Sequence, residues 1–248
     1  MTTFLMCSRE NLKKNLSGKV YIVTGTTSGI GLEIVKQLAS QSAKIVCACR
    51  NTEASKKISE TILVNNPKSS IKTIPLNLDS LNSVRDFIKV FLDNFDRLDG
   101  LINNAAVMNT PESFTQDGFE LQLGTNFLGH FLLTELLLPI LKKNKDGRII
   151  HTSSVFHEKG LINLEDFNFK KRKYSGWEAY YQSKLAQVLY SRYQAKLLKN
   201  SKITTVSIHP GWVQTPLIKN TLPVFFQDYL LYPILKMSGM VDTWRGCH

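Results

Sequence analysis

Apolar segments of strand length alternate with segments of helical pattern along most of this chain. The first apolar run, Val20–Thr24, ends in a glycine-rich turn, and residues 29–41 follow with helical spacing. The apolar runs lack polar alternation, which is typical of parallel strands covered on both faces. Repeated strand–helix order therefore predicts a parallel sheet with helices on both sides. No linker, repeat or low-complexity tract interrupts the pattern, so residues 1–248 are predicted to form one domain.

Six strands and five helices are predicted from these patterns. The strands are residues 20–24, 44–48, 71–76, 98–102, 148–152 and 203–208. Three helices are predicted at residues 29–41, 117–143 and 176–199. A fourth surrounds Ala54, Ile58 and Ile62. The fifth is capped by Asp79 or Ser80, and its apolar stripe is Val84, Phe87, Ile88, Phe91 and Phe95.

The chain is basic, with a formal charge of +11 and a pI near 9.5. Nucleic acid, an anionic membrane surface and a phosphorylated cofactor are three partners that such a charge can serve. The densest basic run is residues 170–173, and no aromatic interleaving or nucleic-acid motif accompanies it. We interpret that run as a solvated loop and expect no nucleic-acid partner.

Cysteine and apolar patterns point to an intracellular protein. Cys47 and Cys49 lie two positions apart in a predicted strand, so they share a face and suit buried thiols better than a disulfide or zinc site. No histidine set suggests metal ligands, and we expect no metal.

Residues 127–141 are very apolar but too short to span a membrane, which favours a buried helix. Residues 225–235 form either a substrate lid or a surface that rests on a membrane; the sequence leaves both open.

The turn after the first strand has the composition of a phosphate cradle. Gly25, Gly29 and Gly31 separate that strand from its helix in a GxxxGxG spacing. Glycine lets such a turn close and lets the backbone approach a pyrophosphate, while the helix N-terminus offers unpaired N–H groups. A purely structural glycine turn is the alternative interpretation.

The residue at the end of the second strand indicates which dinucleotide the cradle accepts. An acid there accepts a hydrogen bond from a ribose 2′-hydroxyl, whereas an arginine accommodates a 2′-phosphate. Arg50 occupies this place, and no acid occurs in residues 43–50. We therefore predict NADP(H), against the alternative of an exposed arginine in a basic protein.

A tyrosine and a lysine are spaced to share one helix face. Tyr180 and Lys184 are four residues apart, and Ser153 and Ser154 precede them in the chain. A free tyrosine has a pKa near 10, and a neighbouring ammonium group is expected to lower the pKa of Tyr180. Alone, the Tyr–x–x–x–Lys spacing is also that of a common surface pair.

Taken in order, these motifs resemble the short-chain dehydrogenase/reductase family, and within it the retinol-dehydrogenase-like branch. The resemblance runs from about Lys19 and includes Asn103–Ala106, Asn126 and the segment that begins at Pro210. It implies a Rossmann-type doubly wound parallel sheet of strand order 3-2-1-4-5-6. Family members continue with a helix and a seventh strand. This chain stops inside the corresponding helix, so we expect a truncated domain without that strand.

The resemblance also implies roles for individual residues. Tyr180 is expected to be the catalytic acid and base, with Ser154 holding the reacting oxygen and Lys184 binding the nicotinamide ribose. Asn126 is expected to hold a water that links Lys184 to solvent. The cofactor-binding residues that it implies are Gly25, Ser28, Gly29, Ile30, Gly31, Arg50, Asn77, Leu78, Asn104, Ala105, Tyr180, Lys184, Pro210, Gly211, Val213 and Thr215.

Three departures from the family pattern are visible. Relatives often have an acid where Asn77 stands and a glycine where Ala106 stands. The segment between Ser154 and Tyr180 is longer than in many relatives, and the aromatic pair Phe167 and Phe169 within it resembles an insertion of the retinol-dehydrogenase-like branch.

We therefore expect an NADP(H)-dependent oxidoreductase that interconverts an alcohol and a carbonyl on a lipophilic substrate such as a retinoid, steroid or lipid aldehyde. A cytoplasmic location, peripheral contact with an intracellular membrane and a homodimer are compatible with this function. Two alternatives stay open: a non-catalytic nucleotide-binding or scaffold protein, and a basic binder of nucleic acid or membrane surfaces.

Overall fold

The computed structural model describes residues 7–144, 146–211, 213 and 217. The predictions for Thr215, for the lid or membrane surface at residues 225–235, and for a missing seventh strand lie outside these residues. Six parallel strands form one sheet in the order β3-β2-β1-β4-β5-β6, which confirms the predicted topology. The strands are β1 Val20–Thr24, β2 Lys44–Cys49, β3 Ser70–Pro75, β4 Gly100–Asn103, β5 Arg148–Thr152 and β6 Thr204–Ile208.

Helices cover both faces of the sheet. Their bounds are α1 Arg9–Leu12, α2 Gly29–Ser40, α3 Thr52–Asn65, α4 Leu81–Asn94, α5 Leu121–Leu123, α6 Gly129–Lys142 and α7 Gly176–Leu197. Alternate residues of β1 enter two separate cores: Ile22 packs with α4 and α6, and Val23 packs with α2. This alternation gives each helix layer its own apolar sheet face.

The first turn of α4 shows how a polar cap and an apolar stripe fix a helix in place. Ser80 caps α4 by accepting a hydrogen bond from the backbone N–H of Ser83. Phe87 and Phe91 on its inward face are fully buried, and each contributes roughly 1.5–3 kcal/mol of apolar burial.

The helix predicted for residues 117–143 begins later than expected. Asp117 lies before it and accepts a hydrogen bond from the Leu81 N–H, so it serves α4 instead. Glu120 caps α5 by accepting from the N–H groups of Gln122 and Leu123. A π-helical turn, Gly124–Leu128, joins α5 to α6. Such turns often occur at functional sites, and this one contains Asn126.

The continuous helix from Leu121 to Lys142 is long and apolar enough to cross a membrane by length and composition alone. Half of its most apolar 18-residue window is buried inside the protein. Leu133, Leu137 and Leu141 of α6 are fully buried in the core beneath the sheet.

β1 and β4 are neighbours in the sheet although two other strands separate them in the chain. The order of the strands reverses here, because the chain leaves β1 toward one edge and returns at β4 toward the other. Ligands of open α/β sheets bind at such a reversal, outside the carboxyl ends of the strands. The turns after β1 and β4 are therefore the places to look for a site.

Candidate active site

A cavity of about 940 Å³ opens at the carboxyl ends of β1, β2, β4 and β5. Most of the predicted site residues line it: Gly25, Ser28, Gly29, Ile30, Arg50, Asn77, Leu78, Asn104, Ala105, Ser154, Tyr180, Lys184, Pro210, Gly211 and Val213. Gly31 and Asn126 are buried and do not line it. Residues that are 160 or more positions apart in the chain thus share one cavity.

Glycine is required in the turn after β1 for two different reasons. Gly25 has a φ of 71°, and a Cβ added there would lie 2.9 Å from the Cα of Ala105. Gly31 faces the turn itself, and a Cβ added there would lie 2.2 Å from the Gly25 carbonyl oxygen. Gly25 therefore lets the turns after β1 and β4 approach each other, and Gly31 lets α2 pack closely on its own turn.

The N-terminus of α2 is open toward the cavity. Ser28 occupies the N-cap position, but its side chain makes no capping hydrogen bond, and the first turn contains no acidic residue. Ser28, Gly29 and Ile30 all line the cavity. Uncapped N–H groups at the positive end of a twelve-residue helix are suited to an anionic group such as a pyrophosphate.

Two side chains at the far end of the cavity can contact a nucleotide. Arg50 follows β2, is exposed, and has no hydrogen bond or ion pair with the described part of the chain. Asn77 donates a side-chain hydrogen bond to Asp79, which leaves its carbonyl oxygen as an acceptor. Asn77 can therefore accept a hydrogen bond where relatives have an acid.

Asn126 supports the turn after β4 from behind. Its Oδ1 accepts from the Val107 N–H at 2.8 Å, and its Nδ2 donates to the Val107 carbonyl at 2.9 Å and to Ser183 Oγ at 3.0 Å. Its backbone carbonyl accepts from His130 and Gln187. Asn126 thus fixes backbone and side chains around the site, and the expected water between it and Lys184 stays a prediction.

The catalytic candidates come from β5 and α7. Lys184 is 2 % exposed, and its Nζ donates to the Thr152 carbonyl at 2.8 Å. The same nitrogen lies 5.6 Å from the centre of the Tyr180 ring. Ser153 donates its hydroxyl to the Lys184 carbonyl at 2.9 Å, whereas Ser154 lies beside the Tyr180 hydroxyl. The second serine is therefore the one available to a ligand near Tyr180.

The lowered pKa that was expected for Tyr180 was wrong. Burial raises the pKa of Tyr180 to about 12, and the Ser154 hydroxyl lowers it only in part. Burial also lowers the pKa of Lys184 to about 7, so near neutral pH much of this residue carries no charge. Desolvation therefore outweighs the attraction between phenolate and ammonium that the sequence suggested.

Comparison with known proteins identifies the family. The short chain dehydrogenase model matches residues 19–223. The chain belongs to the short-chain dehydrogenase family. It is 41% identical to retinol dehydrogenase 13 of Mus musculus over 84% of this chain and 63% of that protein. It is also 41% identical to retinol dehydrogenase 12 of Homo sapiens, over 90% of this chain and 70% of that protein.

The chain spans about 63% of the length of the mouse relative. Its fold also matches a crystal structure of an uncharacterized protein from Mycobacterium paratuberculosis, with a TM-score of 0.73 and 38% identity over 80% of this chain and 70% of that chain. Family membership makes a nicotinamide dinucleotide, NAD(H) or NADP(H), the cofactor class. The similarity to the two retinol dehydrogenases confirms the resemblance to the retinol-dehydrogenase-like branch.

An aromatic cluster that we did not predict borders the end of the cavity that holds Ser154 and Tyr180. Phe156 and Trp177 line the cavity with ring centres 5.6 Å apart. Tyr181 stacks on Phe156 from outside, at 5.2 Å. Met108 and Leu121 add further apolar surface. The i, i+3 spacing of Trp177 and Tyr180 is the sequence signal that could have shown that both face the site.

The long segment between Ser154 and Tyr180 is folded onto the rest of the domain. Asn168 accepts from the Glu120 N–H at 2.8 Å, and Gln182 donates to the Phe167 carbonyl at 3.0 Å. Arg172 lies 3.8 Å above the Phe169 ring. The basic run at residues 170–173 is therefore solvated at its three lysines only, since Arg172 is half-buried.

Proposed function

We propose that this chain is an NADP(H)-dependent oxidoreductase that interconverts an alcohol and a carbonyl on a lipophilic substrate, with Tyr180 as the acid and base. One observation carries the proposal: Ser154, Tyr180 and Lys184 line the same cavity as the glycine turn and the open end of α2. A proton-transfer group and a phosphate-binding surface thus face the same cavity.

The cofactor-binding half of the cavity fits a dinucleotide phosphate. The uncapped N-terminus of α2 suits the pyrophosphate, and Arg50, which has no side-chain partner among the described residues, supplies a charged group at the end of β2 for a 2′-phosphate. When bound, the nicotinamide supplies or accepts the hydride. The protein contributes position, the exclusion of water and the proton.

Tyr180 is suited to give a proton during carbonyl reduction. Its pKa of about 12 keeps the hydroxyl protonated across the physiological range. The neighbouring Ser154 hydroxyl can donate to the same carbonyl oxygen and stabilise its developing charge. In the oxidation direction Tyr180 must first lose its own proton to solvent, which a charged Lys184 beside it favours by lowering its pKa, and the phenolate then takes the proton of the alcohol.

Lys184 has donors left for a ligand. An ammonium has three N–H donors, and the described residues provide one acceptor for it, the Thr152 carbonyl. The side chain is buried yet lines the cavity. We infer that a ribose hydroxyl of the bound cofactor completes its hydrogen bonding and helps it to stay charged beside Tyr180.

The aromatic wall favours a lipophilic substrate. Phe156 and Trp177, together with Met108 and Leu121, give the catalytic end an apolar surface. Two similar proteins are named retinol dehydrogenases, which agrees with an apolar alcohol or aldehyde. Replacing Trp177→Ala is expected to raise KM for a long-chain aldehyde by roughly tenfold, and by less for a short one. An equal change for both substrates would contradict an apolar contact at Trp177.

An apolar stripe on α7 supports a homodimer. Leu189, Tyr193 and Leu197 recur every four residues and are 48%, 60% and 64% exposed. Exposed stripes of this kind commonly mark protein contacts. We propose that α7 pairs with a second copy. Sedimentation of a Tyr193→Glu variant should show a monomer where the unmodified chain sediments as a dimer, and a monomer in both cases would refute the pairing.

Turnover of a carbonyl panel tests the function as a whole. We expect the purified chain to oxidise NADPH in the presence of long-chain aldehydes or retinal. Tight NADPH binding without turnover of any alcohol or carbonyl would favour the non-catalytic alternative. Salt-sensitive binding of nucleic acid or anionic vesicles in the absence of cofactor affinity would favour a basic binder.

A further inference from the structure

A histidine outside the cavity links the cofactor turn to the π-helical turn at Asn126. His130 is 1 % exposed. Its Nδ1 lies 2.9 Å from the Asn126 carbonyl oxygen, and its Nε2 lies 2.9 Å from the Thr24 hydroxyl. A carbonyl oxygen only accepts, so Nδ1 carries the ring proton. In the neutral ring Nε2 then accepts, and Thr24 must donate to it.

The tautomer of His130 determines which hydrogen bonds the Thr24 hydroxyl can make with its other neighbours. The backbone N–H groups of Asn104 and Ala105 each lie 2.9 Å from Thr24 Oγ1. Because the single hydroxyl proton is directed to His130, both lone pairs face these two donors. The only other acceptor for that proton among the described residues is the Ile102 carbonyl at 3.4 Å.

The other end of the histidine reaches the same turn by a second route. Asn126, whose carbonyl accepts from His130, holds both the N–H and the carbonyl of Val107. It also donates to Ser183, the neighbour of Lys184 on α7. His130 therefore contacts two residues that between them hold the backbone of the turn after β4 and the catalytic helix.

We propose that His130 is a positioning residue for cofactor binding: as the neutral Nδ1–H tautomer it keeps Thr24 as the acceptor for the Asn104 and Ala105 N–H groups. The turn after β4 is thereby held against Gly25 at the spacing that the cavity needs. This role rests on the proposed nicotinamide function, since it acts through the cofactor-binding turn.

Burial and charge keep the ring neutral. Desolvation lowers the pKa of His130 to about 3, and nearby His151 and Lys184 oppose a further positive charge. Protonation would place a donor at Nε2, facing a hydroxyl whose lone pairs are already directed to two N–H groups. The ring therefore keeps its accepting nitrogen over the pH range in which the protein is handled.

A double-mutant cycle on cofactor affinity tests this role. His130→Leu is expected to weaken NADPH binding by roughly tenfold or more, because the Thr24 hydroxyl loses its acceptor. In a Thr24→Val background the same change should have little further effect, while Thr24→Ser should keep most of the affinity. Tyr190→Phe, which removes a buried hydroxyl from α7 away from the cavity, is the matched control and should bind NADPH normally.

Additive losses in the cycle, or an unchanged dissociation constant in His130→Leu, would overturn the role. Failure of the unmodified chain to bind any nicotinamide cofactor would refute the proposed function instead, so the two failures are distinct. Should His130→Leu not fold, ¹⁵N-histidine spectra of the unmodified protein decide the tautomer. We expect an Nδ1–H ring that does not titrate between pH 5 and 8; an Nε2–H ring or a titrating one would contradict the proposal.

Discussion

The two halves of the cavity are built from different parts of the chain. In the cofactor half, the surface is largely backbone: the glycine turn, the open end of α2 and the turn after β4. In the catalytic half, Tyr180 and Lys184 are buried side chains whose pKa values burial moves in opposite directions. The first half depends on shape, and the second depends on Tyr180 and on Lys184, whose charged form burial disfavours.

This difference teaches where each half is vulnerable. A surface made of backbone is lost when an added side-chain atom fills it, as a Cβ at Gly25 or Gly31 would. Such a surface tolerates most other substitutions. Lys184, for which the described residues provide one acceptor, opposes folding in its charged form and becomes useful only when a ligand completes its hydrogen bonds. Function is therefore expected to be lost most steeply in the catalytic half, and stability to be gained there most easily.

The largest effect is expected from Tyr180→Phe. Loss of the hydroxyl removes the proton donor, so turnover should fall by about 10²- to 10⁴-fold while cofactor affinity stays close to that of the unmodified chain. Tyr181→Phe is the control, because Tyr181 packs on Phe156 outside the cavity and should retain turnover. Steady-state kinetics measures turnover in both variants. An equal loss of turnover in Tyr180→Phe and Tyr181→Phe would contradict the distinction between the two halves.

Lys184→Met should abolish turnover and yet stabilise the fold. The pKa of Lys184 is about 7 when folded and 10.5 when unfolded, so the unfolded chain binds more protons between these values. Stability of the unmodified chain therefore rises with pH across that window. The gain from methionine should be largest at or below pH 7 and should shrink toward pH 10.5.

Chemical denaturation at pH 6 and pH 9 measures this gain. Lys196→Met on the exposed end of α7 is the matched control and should show no such pH dependence. A Lys184→Met variant that is less stable than the unmodified chain at pH 6 would show that the buried ammonium favours folding.

Arg50→Ala should produce a smaller, selective effect in the cofactor half. Removing one charged contact to a 2′-phosphate is expected to weaken NADPH binding by roughly 10- to 100-fold and to leave NADH binding unchanged. Arg192→Ala, exposed on α7 away from the cavity, controls for the change in net charge. Fluorescence titration gives both constants, and a parallel loss of NADH affinity would speak against recognition of the 2′-phosphate.

The smallest effect is expected from Ala106→Gly, which restores the residue common in relatives. Ala106 does not have a positive φ, so glycine is not required there. Cofactor affinity should stay within about twofold, and the free energy of unfolding should fall by about 0.4–1 kcal/mol because the unfolded chain gains freedom. A large gain in affinity would show that the methyl group hinders the cofactor.

The sequence predicted what depends on local patterns. β1 and β5 have the predicted bounds: β1 is an apolar run that ends in Thr24, and β5 is marked by the apolar pair Ile149 and Ile150. The start of the helix at residue 117 was wrong, since Asp117 caps a helix distant in the chain. The pair of Thr24 and His130 was missed altogether. These residues are 106 positions apart, and no local periodicity signals a contact at that distance.

The pKa of Tyr180 could not be predicted for a related reason. Tyrosine–lysine spacing on a helix shows that the two side chains are near each other, but it does not show that both are removed from water. Only the packing of α7 against the sheet and the segment after Ser154 makes desolvation dominate.

Titration of the purified chain with NADPH and NADH, followed by a single turnover with a long-chain aldehyde, tests the central claim most directly. We expect NADPH to bind at least about tenfold more tightly than NADH, in keeping with Arg50, and to be oxidised when the aldehyde is added. Binding of neither cofactor, or tight binding with no oxidation across the carbonyl panel, would contradict an active site formed by Ser154, Tyr180 and Lys184.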